Sequence, residues 1–213
     1  WSVKKSINIA KNGVKVGVKK REVLVDKDIE KSRLQLRKTI IHEVGTHALR
    51  SYNGLLSGFE AFSKPNLPEY LDIEEGLATW NEYNMGLLTE KILRNKAALT
   101  WAIYIGEELS FRQLYNVLLG GFPRLSAFNI AYRVKRGLSD TSYPGIYTKD
   151  IVYFRGFRRI LKKLEENPTL YDKLYAGKIG LKQCEWVEDG LIPKAKKVPT
   201  KNDWINIFKK AGI

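Results

Sequence analysis

The sequence contains few of the residues that form disulfides or bind metals. Its 213 residues include one cysteine, Cys184, and two histidines. A single cysteine cannot form an internal disulfide or build a thiolate cage for a metal, which favours a reducing compartment. A cysteine nucleophile also needs a nearby histidine, and both histidines belong to the motif described below. We therefore interpret Cys184 as a buried residue without a catalytic role.

Long apolar stretches are also missing. No run reaches the roughly eighteen residues of a membrane helix, and the basic start at residues 1–5 is not followed by the apolar segment of a signal peptide. We therefore expect a soluble protein without a membrane partner. Because the chain begins at Trp1 and its only methionine is Met85, we also expect it to be part of a longer protein, lacking that protein's N-terminal extension.

Acidic residues are in the minority. The chain has 37 lysines and arginines against 23 aspartates and glutamates, a formal net charge of +14. This charge attracts nucleic acids, anionic membranes or acidic peptides without choosing among them. The basic residues are spread along the chain without the interleaved aromatic residues of RNA-binding modules. We predict no specific nucleic acid, and a basic nucleic-acid-binding protein with an incidental metal site is the alternative of another class.

An alternating pattern of apolar residues predicts strands near the start of the chain. Between residues 7 and 25, isoleucines and valines recur at every second position in short runs. Asn12-Gly13 separates the first two runs, and both residue types tolerate the positive φ of a tight hairpin turn. The pattern predicts a small N-terminal antiparallel sheet.

The rest of the sequence has mainly helical periodicity. Asp26 or Asp28 can cap a first helix that runs to about Arg50, and Asp72 is a candidate N-cap for the next helix. Glycines and prolines predict a loop between them, over about residues 52–70.

Helices also dominate the second half of the sequence. They are predicted at residues 91–102, 110–119, 126–136 and 149–166, before a less regular segment at 181–213. Since no repeat or linker is present, we predict a predominantly helical α+β fold in a single domain over residues 1–213.

Both histidines lie in one hexapeptide, His42-Glu43-Val44-Gly45-Thr46-His47. Zinc prefers imidazole nitrogens and carboxylate oxygens, and a catalytic zinc site uses three protein ligands and one open position. The hexapeptide supplies two of those ligands. Two histidines can also fall near each other by accident, which is the structural alternative to a metal site.

The spacing of the histidines is unusual. The common zinc helix places two histidines four residues apart, on one face of an α-helix. His42 and His47 are five residues apart, which on a regular α-helix leaves them about 140° out of alignment. A π-bulge absorbs one extra residue and restores the common face, and Gly45 permits this distortion. The spacing therefore predicts a widened helix at Gly45.

The remaining parts of a hydrolytic site are acidic. Glu43 would lie over the open coordination position, where a carboxylate can take a proton from zinc-bound water and pass it to the leaving amine. The third ligand should be an acid on another element, and residues 72–78, DIEEGLA, are the best candidates. The segment is similar to the ligand helix of gluzincins. By that similarity Glu75, 28 residues after His47, is the ligand, and Glu74 is the alternative.

Longer strings carry a family resemblance. Residues 41–50, IHEVGTHALR, and residues 74–78, EEGLA, resemble the microtubule-associated tyrosine carboxypeptidases and their bacterial relatives, the QEGLA-motif proteins. Residues 132–137, YRVKRG, and 147–156, YTKDIVYFRG, are similar to later blocks of that family. The resemblance covers about residues 15–165. It departs where glutamate replaces the glutamine of the bacterial motif and where the family's N-terminal portion is missing.

The resemblance implies a gluzincin-like zinc metallopeptidase domain in a cytoplasmic protein. Its reaction would be removal of the C-terminal residue, tyrosine in the tubulin enzymes, from a peptide or protein tail, with acidic tails as the expected partners. Residue by residue, it implies His42, His47 and Glu75 as zinc ligands and Glu43 as the catalytic residue. A zinc endopeptidase or aminopeptidase on the same scaffold is the alternative enzyme.

A carboxypeptidase also needs groups that bind the terminal carboxylate of its substrate. Arg133, Arg136 and Lys149 are the candidates because they lie in the matching blocks, and arginine can bond both oxygens. Ordinary surface charge is the alternative interpretation of each. Tyr147 or Tyr153 could donate to the oxyanion of the tetrahedral intermediate.

Other residues could hold the metal ligands in position. Arg50, about one turn past His47, could orient a ligand or line the cleft. Some gluzincins have an acid four residues after the ligand glutamate, where this chain has Thr79, so Asp72 or Glu82 would have to replace it. The oligomeric state is not predicted.

Overall fold

The computed structural model describes residues 1–64 and 67–213. Part of the predicted loop at 52–70, residues 65 and 66, lies outside the described residues. By its internal contacts the chain divides into two compact units, residues 1–87 with 157–213 and residues 88–156. The single domain over residues 1–213 stays a prediction.

Helices predominate beside one small sheet, which confirms the predicted α+β class. In chain order the described elements are β1 (Ser2–Ser6), β2 (Val14–Gly17), β3 (Glu22–Asp26), α1 (Arg33–Thr39), a π-helical segment (Ile40–Ala48), α2 (Leu49–Leu56), a short 3₁₀-helix (Glu60–Ser63), α3 (Tyr70–Asn84), α4 (Glu90–Gly106), α5 (Phe111–Leu119), α6 (Arg124–Lys135), α7 (Ile151–Glu166), α8 (Leu170–Leu174), α9 (Cys184–Glu188) and α10 (Lys201–Lys210). The division between the units falls within α7. Among the described helices, none is both long and apolar enough to cross a membrane.

The N-terminal sheet is mixed rather than wholly antiparallel. Its order is β1-β3-β2, with β2 antiparallel to β3 and β1 parallel to it. The predicted hairpin at Asn12-Gly13 is wrong because Asn12 is tied to the end of β3. Its N–H donates to Asp26 Oδ2 at 2.7 Å, and its side-chain oxygen accepts from the Glu30 N–H at 2.6 Å. The tight connection instead joins β2 to β3, where Arg21 has a φ of 51°.

The first helix begins later than predicted. It starts at Arg33 rather than after Asp26 or Asp28. The reason is a capping box, in which the Ser32 hydroxyl accepts from the Gln35 N–H and the Gln35 side chain accepts from the Ser32 N–H. These two bonds satisfy N–H groups that the first turn leaves without helical partners.

The other helix boundaries are closer to prediction. The predicted loop begins too early, since α2 continues to Leu56. α3 begins at Tyr70, so Asp72 lies in its first turn instead of capping it, and its charge there still favours the helix dipole. α4 to α7 occupy the four predicted segments, with boundaries that shift by a few residues.

The predicted distortion of the histidine helix is confirmed. Residues Ile40–Ala48 are π-helical, and the helix continues as regular α-helix on both sides. Gly45 lies in this segment against Trp204 of α10, and a Cβ atom on Gly45 would lie 2.2 Å from the Trp204 ring. Glycine is therefore needed for close packing of the indole, in addition to its backbone freedom.

Each unit has its own hydrophobic core. In the first unit, Ile73 and Leu77 of α3 pack with Ile160 of α7 and with Leu174 and Ile179. In the second unit, the apolar faces of α4, α5 and α6 pack together. α3 also packs along the π-helical segment. The core of the first unit therefore fixes the acidic residues of α3 beside the two histidines.

Gly45→Ala should lower the free energy of unfolding, because the new methyl group must displace the Trp204 ring. Overpacking of this kind costs about 1–3 kcal/mol. Gly121→Ala is the matched control, since a Cβ there would meet nothing within 4 Å. Urea unfolding of both variants and the wild type checks the expectation. Equal stability of Gly45→Ala and Gly121→Ala would contradict the packing argument.

Candidate metal centre

Three possible metal ligands converge in the first unit. The Nε2 atoms of His42 and His47 lie 3.2 and 3.7 Å from the same carboxylate oxygen, Oε2 of Glu75. Tetrahedral donors at zinc distances of about 2.0–2.1 Å are roughly 3.3–3.4 Å apart. Both nitrogen–oxygen distances lie near this value, as expected of atoms that could share a zinc ion. The two imidazole rings are nearly perpendicular, at 83°, with centroids 4.8 Å apart.

The opposite nitrogen of each imidazole is held by a different glutamate. His42 Nδ1 lies 2.8 Å from Glu82 Oε1, and His47 Nδ1 lies 2.9 Å from Glu74 Oε1. A carboxylate at Nδ1 favours the tautomer that carries its proton there, which leaves the Nε2 lone pair free for a metal. Glu82, one of the two acids considered from the sequence, thus takes the supporting position behind His42.

Glu74 is a buried carboxylate with several partners. Its side chain is 1% exposed and bonds Arg50, Lys178 and the His47 ring. Burial by itself would raise the pKa of Glu74, but the adjacent Lys178 and Arg50 cations hold it well below its ordinary value. Both oxygens of Glu74 are therefore occupied, and Glu75 is the residue that faces the Nε2 atoms. This geometry favours Glu75 over Glu74 as the ligand.

Arg50 and Lys178 are themselves buried, and each has further hydrogen-bond partners. Besides Glu74, Arg50 donates through Nε to the Leu174 carbonyl at 2.8 Å and through Nη2 to the Ile179 carbonyl at 2.6 Å. Lys178 also donates to the Tyr70 hydroxyl at 3.0 Å. The sequence indicated Arg50 as an orienting residue. It gave no signal for Lys178, which lies more than a hundred residues from Glu74 in the chain.

The centre favours a positive charge. Burial lowers the pKa of His42, but the hydrogen bonds that its ring donates to the Glu75 and Glu82 carboxylates outweigh burial and raise this pKa to about 10. Burial would raise the pKa of Glu75, and the bond with His42 lowers it. Glu74 and Glu75 thus keep their negative charge beside the imidazoles, which favours a cation there.

Glu43 lies at the same centre. Its carboxylate and the ring nitrogens of His42 and His47 lie within 4.8 Å of one another, and all three residues are partly buried. Glu43 and Glu75 are thus both close to the two histidines, and the Glu75 oxygen is the nearer, at 3.2 and 3.7 Å from their Nε2 atoms.

The residues predicted to bind the substrate lie in the second unit. Arg133 and Arg136 both form ion pairs with Asp150, at 2.9 and 2.8 Å. Asp150 is 4% exposed and was not among the residues predicted from the sequence. In the sequence, the one indication of a role for Asp150 was its place between Lys149 and Ile151 in the block YTKDIV. The two guanidinium groups are therefore fixed side by side by one carboxylate.

The remaining predicted substrate-binding residues, Tyr147, Lys149 and Tyr153, follow the two arginines in the sequence. The Arg136 guanidinium stacks over the Tyr147 ring, 4.2 Å from its centroid. Lys149 is exposed, while Tyr153 is partly buried with the Lys96 ammonium 5.0 Å from its ring centroid. Arginine 136 is thus held by both a carboxylate and an aromatic face, which reduces its freedom to change rotamer.

Comparison with known proteins identifies the family of the chain. The sequence model of a family described as microtubule-associated tyrosine carboxypeptidase matches residues 2–207. The chain belongs to this family. The matched region includes the histidine and glutamate centre of the first unit and the arginine pair of the second.

Curated relatives in this family are longer than the chain. The Mus musculus protein MATCAP2 is 28% identical over 167 residues, which cover 74% of this chain and 31% of that protein. Microtubule-associated tyrosine carboxypeptidase 1 of Homo sapiens is 34% identical over 125 residues, or 57% of this chain and 26% of that protein. The chain therefore spans less than a third of the curated relatives it matches.

Arg50→Met should strongly destabilise the first unit. Removal of one partner of a buried ion pair costs about 3–5 kcal/mol, because the remaining charge loses its compensation. Arg159→Met is the control, since the Arg159–Glu69 ion pair lies in a partly exposed position and should contribute little. Chemical unfolding of both variants checks the difference. An Arg50→Met protein as stable as Arg159→Met would contradict the network described for Glu74.

Proposed function

We propose that the chain is the catalytic domain of a zinc-dependent metallocarboxypeptidase. Its substrate would be a protein or peptide tail from which it hydrolyses the C-terminal residue, tyrosine or another aromatic. The observation that carries the proposal is the convergence of two imidazole Nε2 atoms on Glu75 Oε2, at 3.2 and 3.7 Å. Membership of the microtubule-associated tyrosine carboxypeptidase family supports the reaction type.

His42, His47 and Glu75 would hold the zinc ion. Glu82 and Glu74 keep the two rings in the required tautomer and orientation. When bound, zinc supplies a Lewis acid that polarises the scissile carbonyl and lowers the pKa of water.

Glu43 would act as the general base and then as the general acid. As a carboxylate it takes a proton from the attacking water molecule, whose oxygen forms the new bond to the scissile carbonyl carbon. As the C–N bond breaks, Glu43 returns this proton to the leaving amine. The products are the shortened chain with a new carboxylate and one free amino acid.

The second unit offers groups for recognition of a terminal carboxylate. Arg133 and Arg136 share one carboxylate, Asp150, so the three side chains keep a net positive charge. Fixed guanidinium groups can bond both oxygens of a carboxylate, and the exposed Lys149 adds a further positive charge. We propose Tyr147 or Tyr153 as the donor to the oxyanion. The net charge of +14 would attract acidic tails, and a cytoplasmic location fits the single cysteine.

Glu43→Gln should abolish hydrolysis while zinc binding stays near the wild-type level, because the amide keeps the shape but cannot accept the proton. The measurement is stoichiometric zinc content together with release of free tyrosine from a peptide that ends in tyrosine. We expect a loss of at least about a hundredfold in kcat.

Several outcomes of this experiment would contradict the proposal. Absence of zinc from the wild type would refute the metal centre, and equal activity of wild type and Glu43→Gln would refute the base. Internal cleavage products instead of one free amino acid would favour the endopeptidase. The same peptide with an amidated C-terminus is the control for carboxylate recognition.

Glu75→Gln and Glu74→Gln should distinguish a zinc ligand from a residue that holds the ligands in position. Glu75→Gln removes a ligand charge, so zinc affinity should fall by more than the roughly 10–100-fold typical of supporting residues. Glu74→Gln removes the shared counter-charge of Arg50 and Lys178, so its larger effect should be on the free energy of unfolding. Chelator competition and urea unfolding measure the two quantities. A greater loss of zinc affinity in Glu74→Gln would identify Glu74 as the ligand.

A further inference from the structure

One main-chain carbonyl of the π-helical segment accepts a hydrogen bond from outside the helix. Where the hydrogen bonding changes from i+5 back to i+4, the extra residue shifts the ladder by one position. Here the Leu49 N–H donates to the carbonyls of Val44 and Thr46. The carbonyl of Gly45, four residues before Leu49, would be its acceptor in a regular α-helix. The Tyr175 hydroxyl donates to the Gly45 carbonyl at 2.9 Å. Tyr175 is fully buried and follows α8, far away in the sequence.

A second hydroxyl holds the other part of the segment. The Thr46 hydroxyl donates to the Ile41 carbonyl at 3.1 Å. Threonine in a regular helix bonds the carbonyl three or four residues back, whereas this bond reaches back five residues. The bond therefore matches the π-helical spacing and not the α-helical one.

Asn81 of α3 sets the direction of both hydroxyl bonds. Its Nδ2 donates to Thr46 Oγ1 and to the Tyr175 hydroxyl oxygen, each at 2.8 Å. Because each hydroxyl already accepts a proton from Asn81, its own proton is directed to the helix carbonyl. On another side of the segment, the Trp204 ring packs against Gly45 and leaves no space for a Cβ. The wide turn is thus held by hydrogen bonds and by close packing.

We propose that Tyr175 is a positioning residue for zinc binding, which locks the histidine helix in its π-helical register with the help of Asn81 and Thr46. The inference rests on the proposed zinc site. In a regular α-helix the five-residue spacing would turn His42 and His47 about 140° apart. Loss of the Tyr175 bond leaves the buried Gly45 carbonyl without this donor, so the segment loses its preference for the wider turn.

The test is Tyr175→Phe, with Tyr83→Phe as the control. Tyr83 lies on α3 in the same unit and its side chain is exposed, whereas the Tyr171 hydroxyl donates to Asn81 and so belongs to the network under test. Zinc affinity is measured by chelator competition under conditions where circular dichroism shows each protein to be folded. We expect zinc to bind about 10–100-fold more weakly to Tyr175→Phe and within about twofold of wild type to Tyr83→Phe.

A second readout does not depend on zinc. Amide hydrogen exchange of residues 41–50 in the metal-free proteins should become at least about tenfold faster in Tyr175→Phe and stay unchanged in Tyr83→Phe, because the lock acts on the helix itself. If the wild type binds no zinc, the proposed function fails, and exchange alone decides whether Tyr175 holds the register.

Clear results would overturn the inference. One is a folded Tyr175→Phe protein with wild-type exchange in residues 41–50. The other is a Tyr175→Phe protein that keeps wild-type zinc affinity and shows only a lower unfolding midpoint, as expected if the hydroxyl is merely structural. If Tyr175→Phe does not fold, Thr46→Val removes the second hydroxyl of the same network. It should show the same two changes, and their absence would equally refute the lock.

Discussion

The candidate metal centre depends on the buried charge of Glu74. Transfer of a carboxylate from water into a protein interior costs several kcal/mol unless cations and hydrogen bonds replace the lost water. Arg50 and Lys178 supply the cations, and Arg50 in turn donates to the carbonyls of Leu174 and Ile179. One carboxylate thereby ties α2, α3 and the segment after α8 together. The His47 ring is oriented by the same carboxylate, so its direction is set by the most buried ion pairs of the unit.

The histidine helix is the second constraint, and it acts through the backbone. An extra residue between the histidines brings them to one face only if the helix widens, which disturbs the normal ladder of hydrogen bonds. The fold compensates with side chains from outside the helix, Tyr175 at the Gly45 carbonyl and Trp204 against the Gly45 Cα. The metal centre and the local irregularity are therefore parts of one arrangement.

The charged groups around the two histidines differ in sign from the net charge of the whole protein. The chain carries +14 overall, yet four glutamates, Glu43, Glu74, Glu75 and Glu82, gather around the two histidines. The local carboxylates favour a cation within a few ångströms, whereas the overall charge acts on anionic partners over about a Debye length, roughly 8–10 Å at physiological salt. A basic protein with acidic groups around its candidate metal centre thus agrees with the proposed action on acidic tails.

The sequence by itself determined the features that depend on local spacing. The five-residue separation of His42 and His47 requires a widened helix if both histidines are to lie on one face, and the π-helical segment was predicted for that reason. Helix periodicity likewise predicted α4 to α7. Tertiary structure decided the partners that are distant in sequence: Glu82 behind His42, Lys178 beside Glu74, Tyr175 at Gly45 and the parallel pairing of β1 with β3. No local pattern encodes such contacts, because they arise only when the packing of the core brings separate elements together. The same packing places Glu74 among the buried cations and leaves Glu75 facing the histidines. These two neighbours are chemically identical, so only their different positions on the helix, and the different burial that results, distinguish them.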